Sequence, residues 1–126
     1  GVVGTTAPYQ QQALAEAEAD LAAGIAHIDA MFNDWTARVT AGETIDNGER
    51  LEFRRNQVRA VQRVLDSVNT MMSRAGTAAV WTTRELEQLW RDLRTCGTHL
   101  SNSMDIIYNA WANDEFGTGV ERYTFH

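Results

Sequence analysis

The sequence predicts an all-α fold, an antiparallel helical bundle with three long helices over about 7–40, 47–75 and 83–115. Three observations predict it. Apolar residues recur at steps of three and four over most of the chain, and no segment shows the strict alternation of a half-buried strand. The only proline, Pro8, stands near the start. At 126 residues the chain suits one domain that buries roughly two thirds of its unfolded surface.

The first helix begins near Thr6, an N-cap candidate, with Pro8 tolerated in the first turn. Its stripe is Leu14, Ala17, Leu21, Ile25, Ile28, Phe32, Trp35 and Val39, which keeps to one helix face. Gly42 and the polar run to Asn47 end it. The second helix opens on Asp46 and Glu49, spaced as a capping box, and carries Leu51, Val58, Val61, Leu65, Val68 and Met72. Gly76 stops it, and Trp81 falls in the short loop that follows. The third has Thr82 and Glu85 as its capping box, then Leu86, Trp90, Leu93, Gly97, Leu100, Met104, Ile107 and Trp111, with Phe116, Gly117 and Gly119 closing it.

Composition and spacing exclude several classes. A net charge of −6 argues against nucleic acid or anionic lipid as the main partner. No apolar run approaches the ~18 residues that span a bilayer, and no basic-then-apolar leader opens the chain, so the expected location is cytoplasmic. Cys96 is alone, which leaves no disulfide frame, and Cys96-x-x-His99 is a single pair, too little for zinc. Di-iron bundles need Glu-x-x-His pairs, yet Gly24 and Cys96 stand three residues before His27 and His99. Gly76 to Trp81 holds one glycine and makes no phosphate loop, and no Ser–His–acid trio is evident.

One polar row stands out. Arg91 and Asp92, within Leu89-Trp90-Arg91-Asp92-Leu93, are followed by His99 and then by Asn102 and Ser103. Seven residues separate Asp92 from His99, about two turns of a continuous helix, which would set both on one face beside the apolar seam. Such a row suits a helix that packs on one side and borders a cleft on the other. It suits an ordinary solvated face equally well. Arg54 interrupts the second stripe, with Arg55 and Gln57 close by. Either it snorkels to water, or it meets a carboxylate such as Asp92 or an anionic ligand. The four tryptophans read as core and interface anchors.

Ala75-Gly76 at a helix end, then Leu86, Trp90-Arg91-Asp92 and His99, together resemble the C-terminal helical domain of acyl-CoA-dehydrogenase-like, two-component flavin monooxygenases. The resemblance spans Pro8 to Gly117 in helix order and length, with its sharp part confined to Arg91, Asp92 and His99. It implies three long helices of a four-helix bundle and a homo-oligomer, dimer or tetramer, whose helices form one wall of a flavin and substrate site. It further implies reduced FMN or FAD in the intact protein, a flavin reductase component that supplies it, and insertion of one oxygen atom into an aromatic or related small molecule.

His99 is then the catalytic residue, by hydrogen bonding and proton transfer, which suits imidazole near neutral pH. Gly76, Trp81 and Ser103 are candidate cofactor contacts, and Arg91 and Asp92 a structural ion pair tying their helix to a neighbour. No metal is implied. Family members usually carry Gln-Arg after the leucine matching Leu86, where this chain has Glu87 and Gln88, so a positive charge is missing there. Family subunits are also several times longer, which makes this chain look like a C-terminal fragment that alone holds no flavin tightly. The alternatives are an acyl-CoA dehydrogenase C-terminal domain, for which no glutamate base is placed, and a helical interaction module without chemistry. Self-association is expected through the first and third helices, with Trp111 near the centre of the contact.

Overall fold

The computed structural model describes residues 7–82 and 84–119, including all side chains there except those of 77–82, 84 and 100. The expected N-cap Thr6 and the side chains of Trp81, Thr82 and Leu100 lie outside the described residues.

Helix α1 runs Pro8–Thr40. Ala7 occupies the N-cap position, and Pro8 fits the first turn because its missing N–H would be unpaired there in any case. At the other end Gly42 takes φ 85°, and the Gly42 and Glu43 amides donate to the carbonyls of Val39 and Arg38 at 3.0 and 2.9 Å. This paired closure uses the left-handed conformation that glycine tolerates.

Helix α2 runs Asn47–Thr82. Its start is the capping box the spacing predicts: the Glu49 amide donates to Asp46 Oδ1 at 2.9 Å, and the Asp46 amide to Glu49 Oε2 at 3.0 Å. Glu49 is also gripped by both terminal nitrogens of Arg38, which pairs with Glu43 at 3.0 Å and Asp34 at 3.6 Å as well. The Arg38 guanidinium, followed by the Asp46 amide, holds the Glu49 carboxyl below the usual carboxylate range. The same contacts raise Arg38, Glu49 first and then Glu43. Gly76, at φ 75° and ψ 175°, breaks the helix where a stop was expected. The chain then re-enters helix instead of forming a loop, which Ala78 and Ala79 favour by propensity.

Helix α3 runs Arg84–Gly97 and helix α4 runs Met104–Glu115, joined by one 3-10 turn at Leu100–Asn102. The third helix expected over about 83–115 is thus broken in two. Thr98, His99, Ser101, Asn102 and Ser103 follow Gly97, and small polar side chains compete for backbone groups that a helix would use. The Asn102 Nδ2 donates to the Cys96 carbonyl at 3.0 Å and the Asn102 amide to the His99 carbonyl at 2.8 Å. Gly97 is also packed close to Leu65: a Cβ there would lie 3.0 Å from Leu65 Cγ and overlap its methyls.

Helix α2 is the hub, packing against α1, α3 and α4. Partners along α1 and α2 run in opposite numerical order: Gln10 to the Arg74 carbonyl, Asp20 to Ser67, Met31 to Asn56, Arg38 to Glu49. On the other flank Trp90 meets Asn69 and Trp111 meets Arg55. So α3 and α4 lie end to end along α2, and every neighbouring pair is antiparallel. Leu51, Val58 and Ile107, at 1 % exposure or less, form the centre with Phe53, Met72 and Ala110.

The stripe read on α1 is only partly its buried face: Ala17 is buried, and Ile28 and Trp35 are half-buried. Leu14, Leu21, Ile25, Phe32 and Val39 are exposed by 46 to 59 %, while Ala13, Ala17 and Gly24 are buried. The small residues win the contact because they let two backbones approach: a Cβ on Gly24 would sit 3.5 Å from that of Ala60. Among the described residues no helix is long and apolar enough to cross a membrane.

Candidate functional site at the α3–α4 junction

The break after Gly97 gathers the polar residues that the sequence spread along one helix. His99 is exposed in the linker. Its Nδ1 lies 2.8 Å from the Ser101 hydroxyl and accepts from the Ser101 amide at 3.2 Å. The carbonyl of the same serine accepts from Arg54 of α2, whose guanidinium also donates to Gln57 Oε1. Arg54 therefore neither snorkels to water nor meets Asp92. It satisfies a carbonyl freed by the helix break, a charge-assisted bond across two elements.

Asn102 turns its amide nitrogen to Cys96, while its Oδ1 is buried with no hydrogen-bond partner among the described residues. An orphaned acceptor of this kind costs about 1–3 kcal/mol unless something supplies a donor. Beside it an apolar groove of about 340 Å³ opens between α1, α2 and α3, walled by Leu21, Ile25, Ile28, Val61, Val64 and Leu93, with Asp29, Cys96 and Asn102 also in its lining. A mostly apolar cleft with a few polar groups is a common form for a small-molecule site.

The remaining predicted residues fall in different places. Ser103 sits in the same junction as the N-cap of α4, with extended backbone (φ −66°, ψ 109°) and no side-chain cap bond. Arg91 and Asp92 both find partners one turn away on their own helix: Arg91 pairs with Glu87 at 2.9 Å, and Gln88 donates to Asp92 at 2.7 Å. Within this chain they do not tie α3 to a neighbour. Both are exposed, and at this separation the i,i+4 pair contributes a few tenths of a kcal/mol. Asp92 and His99 share no helix face, since α3 ends between them.

Gly76 is remote from His99. Leu65 is level with Gly97, and eleven residues of helix separate it from Gly76, roughly 16 Å. Sequence reasoning passed over Ser101, although the His-x-Ser spacing that lets an amide and a hydroxyl reach one ring nitrogen is visible at 99–101. Among the described residues no group of three or more His, Cys, Asp or Glu side chains could hold a metal.

A family model described as "Acyl-CoA dehydrogenase, C-terminal domain" matches residues 4–104, which takes in α1 to α3 and the junction. The oxygenase subunit HsaA of a flavin-dependent monooxygenase from Rhodococcus jostii (strain RHA1) is 30 % identical over 113 residues, 90 % of this chain and 30 % of the relative. The subunit of the same name from Mycobacterium tuberculosis (strain CDC 1551 / Oshkosh) is 29 % identical over 110 residues, 87 % of this chain and 28 % of the relative. The crystal structure of 3-HSA hydroxylase from Rhodococcus sp. RHA1 superposes with a TM-score of 0.85 at 28 % identity, covering 95 % of this chain and 32 % of that one. The chain thus spans about a third of the length of the proteins it matches.

Proposed function

This chain belongs to the acyl-CoA dehydrogenase C-terminal domain family, and from that membership and the α3–α4 junction we propose that it forms one wall of the active site of a reduced-flavin-dependent monooxygenase. The protein would be the oxygenase component of a two-component system, receiving reduced FMN or FAD from a separate reductase and hydroxylating an aromatic or related small molecule. The likeness to flavin-dependent oxygenase subunits supports this class over an acyl-CoA dehydrogenase.

The observation that carries the reading is the exposed imidazole of His99 in the same junction as Asn102, whose side chain carries an unpartnered Oδ1 and lines the apolar groove. These residues fit one wall of a flavin and substrate site: one donor, one acceptor and an apolar surface for a ring. When bound, the flavin supplies the activation of dioxygen. The chain's own part is to hold and orient. With Nδ1 engaged by Ser101, the Nε2–H of His99 is left to donate to an oxygen across the cleft and to pass a proton there. Ser103 would contact the same ligand, while Gly76 would reach only a distant part of it.

One wall rarely supplies the contacts that bury 70 % or more of a ligand, so this chain alone should hold flavin only weakly. Leu14, Phe32 and Val39 of α1, outside the groove, are each more than half exposed, and self-association of the chain would cover them. Trp111, expected at the centre of that contact, packs beneath Arg55 at 4.3 Å, so α1 is the better candidate. Sedimentation equilibrium at micromolar concentration should find species above the monomer mass.

The reaction class is tested by supplying the intact subunit with reduced flavin, 18O-labelled dioxygen and simple phenols. One labelled oxygen in the product is expected. Dehydrogenation of an acyl thioester without oxygen incorporation would place the protein with the dehydrogenases, and no turnover of either kind would favour an interaction module.

A further inference from the structure

Building on the reading of His99 as a donor toward flavin and substrate, we propose that Ser101 and Arg54 are positioning residues that fix its tautomer, keeping Nδ1 bare and the proton on Nε2. The argument starts from a donor that cannot reverse. The Ser101 backbone N–H lies 3.2 Å from Nδ1 and can only donate, so the ring nitrogen it reaches carries no proton. The Ser101 hydroxyl, 2.8 Å from the same nitrogen, is then turned to donate as well. Two donors from one residue converge on Nδ1, and the neutral ring has only Nε2 left for its hydrogen.

That arrangement needs Ser101 to stay in place, and no regular helix holds it. His99 lies past the end of α3, in a linker with a single 3-10 turn. Arg54 supplies the anchor by donating to the Ser101 carbonyl from α2, while Gln57 steadies the guanidinium. Asn102 fixes the other side through the Cys96 carbonyl at 3.0 Å. The peptide groups of Ser101 therefore link a charge on the hub helix to the orientation of an exposed imidazole. His27, exposed on α1 with no ring hydrogen bond among the described residues, is the internal contrast.

The test is a long-range proton–nitrogen correlation spectrum of the 126-residue chain labelled at histidine nitrogens, at about pH 8.5, where an ordinary imidazole is neutral. His99 should show a bare Nδ1 and a protonated Nε2, while His27 shows tautomers in exchange. Ser101→Ala, which keeps the backbone donor, should move the His99 pattern part of the way toward that of His27, Arg54→Met, which unanchors both donors, should move it further, and Arg54→Lys, which returns one donor, should recover part of the loss. A His99 pattern matching His27 in the unmodified chain, or one that neither variant moves, overturns the proposal. Should Arg54→Met lose helical signal, the bare Nδ1 of the unmodified chain and the partial shift in Ser101→Ala decide together, because that variant removes only the hydroxyl.

In the intact oxygenase, Ser101→Ala should lower coupling of oxygen consumption to product by about threefold to tenfold, the worth of one neutral hydrogen bond. Added to His99→Ala it should lower coupling no further. A lost tautomer preference with full coupling would leave the positioning intact and remove His99 from the catalytic role.

Discussion

Gly24 of α1 lies against Ala60 of α2 so closely that a Cβ on the glycine would meet the alanine Cβ at 3.5 Å. This is ordinary van der Waals contact, so one methyl fits without displacing the helix. Gly24→Ala should stabilise the chain by about 0.5–1 kcal/mol, because alanine loses less backbone entropy in a helix interior. Gly24→Leu should instead cost about 1–3 kcal/mol, since it forces the two backbones apart. Urea unfolding of both variants checks the sign of each change.

The division of α1 into a buried small-residue face and an exposed apolar stripe makes a second contrast. Leu51, fully buried in α2, should cost about 2–5 kcal/mol when changed to Ala. Leu21→Ala, at a position 46 % exposed, should cost less than about 0.5 kcal/mol in the monomer. Denaturant midpoints measured at concentrations low enough to keep the chain monomeric separate the two. A large loss at Leu21 would mean the stripe is the packed face after all.

Glu49 gives a pH prediction. Its folded-state carboxyl is held low by Arg38, so its contribution is fully present above the unfolded pKa of about 4.3 and is lost as pH falls through the lower folded value. Glu49→Gln should therefore melt earlier than the unmodified chain at pH 7, and the gap should close on acidification below about pH 4. Melting temperatures across that range test it. A gap that stays constant would contradict the assignment to charge, because glutamine keeps the capping-box acceptor and lacks only the charge.

The apolar stripe of α2 was legible in the sequence, and so was its start. The Asp46–Glu49 box depends on residues three apart, and Leu51, Val58 and Met72 repeat at helical spacing whatever surrounds them. The junction was not legible, because Trp90, Leu93, Gly97, Leu100 and Met104 carry a helical period straight across the break. What breaks the helix is the Thr98 hydroxyl and the Asn102 side-chain amide taking the carbonyls of Thr95 and Cys96, together with the fit of Gly97 on Leu65. The partner of Arg54 was equally hidden, being a carbonyl exposed only once the helix has ended. On α1 the apolar period was real, but most of its large residues face outward, since close packing favoured Ala17 of that stripe with Ala13 and Gly24 beside it. His99 was found by type and spacing, and its environment came only from the fold.

The most direct measurement of the central claim is the coupling of oxygen consumption to product in the intact oxygenase carrying His99→Ala. The exposed ring at the α3–α4 junction should be expendable for folding and flavin affinity but not for oxygen transfer. Coupling should fall by about tenfold or more, on the order of 1.4 kcal/mol at the transition state, with flavin binding nearly unchanged. Coupling equal to that of the unmodified enzyme would contradict the account and leave His99 an ordinary surface histidine.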